Sequence, residues 1–187
     1  GAEHFINRCG ADYIVLSDCD VVMNIDLGEV LEDHVKSGAY LTMVTKHLNA
    51  DEYRFDKVVN LADIGNENRV RAVSRAKTEH GEVDVNTNIY VIKRTDLQSI
   101  IADSLAHGYT SFSRDVVRAN LDKKLIRAYR YDGWYAYIGT LESYFRTSME
   151  LLTPEARHGL FGSEDRKIYT KIRNSAPTKY CDGAEVK

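Results

Sequence analysis

Proline is nearly missing from this chain, with two residues in 187. That excludes proline-rich linkers and polyproline ligand segments, which need the ring to hold an extended backbone. Cysteine is scarce as well: Cys9, Cys19 and Cys181 are odd in number and lack metal-ligand spacing. Neither a disulfide framework nor a zinc ribbon therefore explains the fold, and the thiols read as reduced, in a cytoplasmic protein. No two of the six histidines stand four residues apart, so a helical zinc motif is excluded too. No apolar run reaches membrane-spanning length, which argues against a membrane protein. Acids and bases are interleaved around a net charge of −3, without the basic block that nucleic acid would require.

What is present is a soluble α/β pattern. Hydrophobic residues make up 43% of the chain, enough to bury a core rather than stay disordered. The opening GAEHFINRCG has Ala2, Phe5, Ile6 and Cys9 on one side of a helix. Tyr13 to Ser17 reads as a buried strand. Asp26 and Glu29 have capping-box spacing before the helix VLEDHVKSG, which Gly38 closes. Strand patterns follow at YLTMVTK, at KVVNLADI and RVRAV around a Gly65-Asn66 turn, at NIYVIK and at LIRAYRY. Helices are expected from Thr95 to Ala106, over SRDVVRANLDKK, and over LESYFRTSMELL capped by Thr140. Alternating strands and helices predict an α/β fold with a mostly parallel sheet. The tail SAPTKYCDGAEVK has no period, and the chain reads as a piece of a longer one.

The chemistry is concentrated in IVLSDCDVV. An apolar run ends in Asp18 and Asp20, one residue apart, so strand alternation aims both carboxylates to one side. Such a pair at a strand's carboxyl end can hold a divalent metal and a nucleotide phosphate. The same pattern also suits a relic of that site, or a polar strand end. The aromatics Tyr129, Tyr131, Trp134, Tyr135 and Tyr144 crowd another stretch, where packing is a better reading than sugar stacking.

Three stretches carry a family resemblance. LSDCDVVMNIDLGEVLEDHVKSGA resembles the strand, metal-aspartate and helix segment of sugar-nucleotide pyrophosphorylases. GWYAYIGTLESYFRTSMELL is similar to their later Gly-Thr strand and helix. IYTKIRNSAPTKYCDGAEVK is similar to their linker into a left-handed β-helix. Together they resemble the glucose-1-phosphate adenylyltransferase family, and most nearly its non-catalytic GlgD type of subunit. The resemblance implies a partial Rossmann-like nucleotidyltransferase domain over residues 1–166. Residues 167–187 would be the linker and the first residues of the β-helix. The family's Gly-rich triphosphate loop, G-x-G-T-R-L, does not occur.

The same resemblance assigns roles. Asp20 falls at the metal- and phosphate-handling aspartate, whereas Asp18 stands where a small residue is usual. Tyr137, two before Gly139, occupies the position of the second metal ligand, an acid in active members. A neutral phenol is a poor ligand for Mg²⁺. Arg75, Ala76 and Lys77 replace the Glu-Lys-Pro that meets the sugar phosphate, leaving Arg75 and Lys77 as the candidates for contact with a sugar phosphate. Phe55-Asp56-Lys57 replaces a Phe-Gly-Val. The implied function is a regulatory, non-catalytic subunit paired with a catalytic one in a hetero-oligomer of glycogen synthesis. Mg²⁺ would serve active members, and no cofactor is expected for this chain. Two rivals remain. One is an active adenylyltransferase. The other is a glycosyltransferase using Asp18-Cys19-Asp20 as a DxD that holds Mn²⁺ and a nucleotide sugar.

Overall fold

A computed structural model describes residues 2–55, 58–76, 80–169, 171 and 183. The chain opens with α1 (Ala2–Arg8), β1 (Tyr13–Ser17), β2 (Val21–Met23), α2 (Leu27–Ser37) and β3 (Leu41–Asn49). It continues with β4 (Val59–Ile64), β5 (Val70–Ala76), β6 (Glu82–Lys93) and α3 (Arg94–His107). A π-helical turn (Phe112–Arg118), β7 (Ile126–Arg130), β8 (Tyr135–Tyr137), α4 (Leu141–Glu150) and α5 (Pro154–Phe161) complete it.

The long β6 organises the main sheet. One of its edges pairs antiparallel with β3. The other is shared by β4, at Leu61↔Val85 and Ala62↔Asp84, and by β1, from Ser17↔Ile89 to Tyr13↔Lys93. Beyond β4 lies β5, antiparallel, and beyond β3 lies β7, parallel. Thus β1, β3 and β7 point one way, with β6 running back between β1 and β3. The α/β class holds, but the sheet is mixed where strand–helix alternation predicted mostly parallel pairing. The physical reason is the stretch from β3 to β6, where no α-helix intervenes among the described residues to carry a crossover.

Each face of the sheet has its own core. Leu41, Met43, Ile92 and Ile126 lie on one face with Ile6, Leu97, Ile100, Val116 and Val117 from the helices and the π-helical turn. Val44, Ile89 and Val91 meet Val30 of α2 and the rings of Tyr131 and Tyr135 on the other. Asp26 caps α2 as expected, accepting from the Gly28 and Glu29 N–H groups at 2.8 and 3.3 Å. Gly38 ends it at φ 62°, a conformation that costs a residue without Cβ little.

Several local expectations change. In α1, Ile6 is buried but Phe5 is exposed, so the apolar side is narrower than the pattern suggested. Tyr13–Ser17, expected to be buried, is only partly so, because β1 has a strand on one edge alone among the described residues. The segment after Ser111 forms a π-helical turn rather than an amphipathic α-helix. Helix α5 had no counterpart, although Thr153 accepts from the Ala156 N–H and Pro154 sits in its first turn. Tyr131 and Tyr135 pack as expected, whereas Tyr144 faces outward. Asp56, Lys57, Lys77 and Cys181 lie outside the described residues, as does nearly all of the expected β-helix linker.

Candidate functional site

The carboxylate turn, residues 18–20, joins β1 to β2 and is fastened on two sides. On the first, β2 pairs with β8, with Val21 opposite Tyr137. The Ile138 N–H donates to the Asp20 carbonyl at 2.8 Å. The turn at Asp20 therefore lies beside Tyr137. The Tyr137 N–H in turn donates to the Tyr53 hydroxyl at 3.0 Å, and the Tyr137 ring packs against the apolar cluster under it.

On the second side the turn meets β6. Asn88 donates from Nδ2 to Asp18 Oδ2 at 2.8 Å. Its backbone is left-handed, at φ 58°, an uncommon state for a non-glycine residue and one that recurs at functional sites. Asn88 Oδ1 accepts from Asn60 Nδ2 at 3.1 Å and from the Tyr90 hydroxyl at 3.3 Å. Asn86 closes the network twice, taking the Asn88 N–H at 2.9 Å and giving its own Nδ2–H to the Tyr90 oxygen at 2.7 Å. Burial, aided by the negative charge of Asp18, pushes the Tyr90 phenol up to about 12 against the opposing hydrogen bonds of Asn86 and Ser113. Burial also raises the Tyr135 phenol, with Asp20 adding to the effect. Both phenols stay neutral donors at physiological pH.

The arrangement separates the two carboxylates chemically. Asp18 is committed to an amide on β6, and Asp20 sits against β8. Among the described residues, no three His, Cys, Asp or Glu side chains come together as a metal-ligand set. A phenol beside Asp20 offers Mg²⁺ one charged oxygen ligand fewer than a second acid there would. Around the turn, Val21, Asn60, Asn86, Asn88 and Tyr137 line a small cleft. Arg75 is one strand further out, paired in register with Asn60, and lines a different cavity.

Sequence reasoning identified Asp18, Asp20 and Tyr137 but missed Asn60, Asn86, Asn88 and Tyr90. A signal for three of them exists in VNTNIYV. Polar Asn86, Asn88 and Tyr90 recur at every second position, among Val85, Ile89 and Val91, a spacing that points to a polar stripe on one face.

No protein-family model matches the chain. Glucose-1-phosphate adenylyltransferase of Thermosipho africanus is 23% identical over 186 residues, covering 98% of this chain and 44% of the relative. Glycogen biosynthesis protein GlgD of Bacillus subtilis is 25% identical over 183 residues, covering 98% and 42%. Over nearly all of its length the chain is similar to proteins named glucose-1-phosphate adenylyltransferase and GlgD. It spans less than half the length of those relatives. The crystal structure of HddC from Yersinia pseudotuberculosis superposes with a TM-score of 0.61 at 15% identity, over 80% of this chain and 60% of that one. That likeness establishes the shared fold. No helix among the described residues is long and apolar enough to cross a membrane.

Proposed function

We propose that this chain is part of a regulatory, non-catalytic subunit of glucose-1-phosphate adenylyltransferase in cytoplasmic glycogen synthesis. In this reading a partner subunit converts ATP and glucose 1-phosphate to ADP-glucose and pyrophosphate, and this subunit supplies interface and regulation within a hetero-oligomer. The observation that carries the reading is Tyr137 beside Asp20 on the β2–β8 ribbon. A neutral phenol stands where an active member would place its second acid. Removing one such electrostatic element typically costs about 10²–10³ in rate. The commitment of Asp18 to Asn88 supports the same view, and it counts against a DxD glycosyltransferase, which needs that carboxylate for the metal. On this reading Asp20 keeps an inherited position, and Arg75 and Lys77 are residual contacts for a sugar phosphate.

The test is pyrophosphate release from ATP, Mg²⁺ and glucose 1-phosphate, with the subunit alone and with a catalytic subunit. The expected result is no turnover above an Asp20→Ala control for the subunit alone. Mixed with a catalytic subunit, it should co-elute and change that partner's kinetics. Turnover by the subunit alone that Asp20→Ala abolishes would establish the rival reading, an active adenylyltransferase.

A further inference from the structure

Helix α4 turns its small side inward and its large apolar side outward. Ser143 and Thr147 are its buried residues. Leu141, Tyr144, Phe145 and Met149, with Leu152 just past its end, are between 41% and 84% exposed. At about 100° per residue these five fall in one stripe roughly 140° wide, whereas a surface helix ordinarily buries its apolar side. Among the described residues nothing covers the stripe. Tyr144 and Phe145, each more than half exposed, leave roughly 200 Å² of surface in water between them, and the five together roughly 500 Å². A contiguous apolar patch of that size marks a contact surface. Two further features bear on what covers it. Ser148, small and exposed, stands in the middle of the stripe, and its hydroxyl donates to the Tyr144 carbonyl at 2.8 Å, so burying it orphans no donor. Along one border run Arg146 and Glu150, with Ser148 midway between them. Glu150 Oε1 accepts from Trp134 Nε1 at 3.0 Å, which fixes the carboxylate while Oε2 remains as an acceptor.

We propose that this face of α4 is an isologous interface between two copies of the chain, their α4 helices antiparallel about a two-fold axis at Ser148. A two-fold interface must complement itself, and this one does. Because Ser148 is midway, Arg146 of each copy falls opposite Glu150 of the other. The small side chain at the axis lets the helices approach closely, and Tyr144 of one copy meets Leu152 of the other on either side of it. Roughly 500 Å² from each copy buries about 1,000 Å² in all, the size at which a specific interface becomes stable. The apolar stripe supplies affinity, and the Arg146–Glu150 border sets orientation. No residue of the carboxylate turn takes part, so the interface stands whether or not the subunit is regulatory.

Sedimentation velocity of the subunit, without a catalytic partner, tests this. A reversible dimer is expected. Phe145→Glu, which sets a carboxylate into the apolar stripe of both copies, should weaken it about 100-fold or more. Phe145 is exposed, so this variant should keep the parent's circular dichroism spectrum. Ser148→Cys gives an independent readout. The two introduced thiols meet at the axis, within reach of a disulfide, so oxidation by diamide should yield a covalent dimer on a non-reducing gel. The parent, with its own cysteines, should yield none under the same conditions, and adding Phe145→Glu to Ser148→Cys should abolish it. Val15→Lys, on β1, should change neither readout. A monomer at every concentration would give the stripe to another occupant and overturn the proposal. A dimer indifferent to Phe145→Glu, a Ser148→Cys variant that diamide does not link, or a dimer lost in Val15→Lys would overturn it as well. None of these outcomes alters pyrophosphate release by the subunit alone, so the two readings fail separately.

Discussion

Strands β1 and β3 flank the same strand, β6, in the same antiparallel sense, yet they live in different environments. From Leu41 to Thr45 every residue of β3 is buried, whereas β1 alternates between partly buried and exposed. Composition does not explain this, since YIVLS is as apolar as LTMVT. The second neighbour does. Beyond β3 lies β7 with helix cover above and below, while beyond β1 no strand follows among the described residues. The candidate site grows from the less covered strand. The carboxylate turn and the left-handed Asn88 both sit just past Ser17↔Ile89, where the pairing of β1 with β6 ends.

The largest expected effect breaks the buried side of the comparison. Met43 is fully enclosed, so Met43→Ala should lower unfolding free energy by about 2–5 kcal/mol through lost burial and a residual cavity, measured by urea denaturation. Asn88 comes next. Asn88→Val should cost about 2 kcal/mol, because a β-branched residue resists φ 58° and the Asp18 bond disappears. Asn88→Gly should stay within about 1 kcal/mol of the parent, since it gains conformational ease as it loses the bond. Equal losses in the two variants would show that the hydrogen bonds, not the backbone, dominate there.

A pH scan sharpens the contrast on the β3 side. His34 is buried on α2, with Nδ1 2.8 Å from Thr42 Oγ1, and burial lowers its pKa below 6.5 despite the nearby Asp33 and Asp96. The unfolded chain therefore takes up the proton first. Stability should be complete above pH 6.5 and decline as pH falls from 6.5 toward the lowered folded value. His34→Gln should flatten that part of the profile. The smallest effect belongs to β1. Val15 is 39% exposed, and Val15→Thr should change stability by no more than about 0.5 kcal/mol. Its open edge should show instead in association, since unpaired strand edges recruit other strands. Light scattering should report concentration-dependent self-association of this chain, and a monomer at all concentrations would mean the edge is covered.

Most elements were legible because their signals are local. Asp26 and Thr140 as caps, Gly38 and Gly108 as stops, and the Gly65 hairpin all appear where the sequence puts them. The sheet's direction was not legible, because alternation of elements does not record which strands a hairpin reverses. The site was half legible. Asp20 and Tyr137 were singled out by the family resemblance, while Asn60 and Asn86 took on meaning only through the hydrogen bonds that join them to Asn88 and Tyr90.

By itself the sequence determined the α/β class and several helix ends, Asp26 and Gly38 on α2 and Thr140 on α4. These follow from side-chain chemistry and short-range backbone preference, which act over a few residues. Only the tertiary structure decided that Asp18 turns to Asn88 while Asp20 stays beside β8, and that Arg75 shares a cavity with Arg114 and Arg118. Those contacts join segments far apart in the chain. Strand register sets which side chains meet across such distances, and register depends on the whole sheet rather than on any one strand.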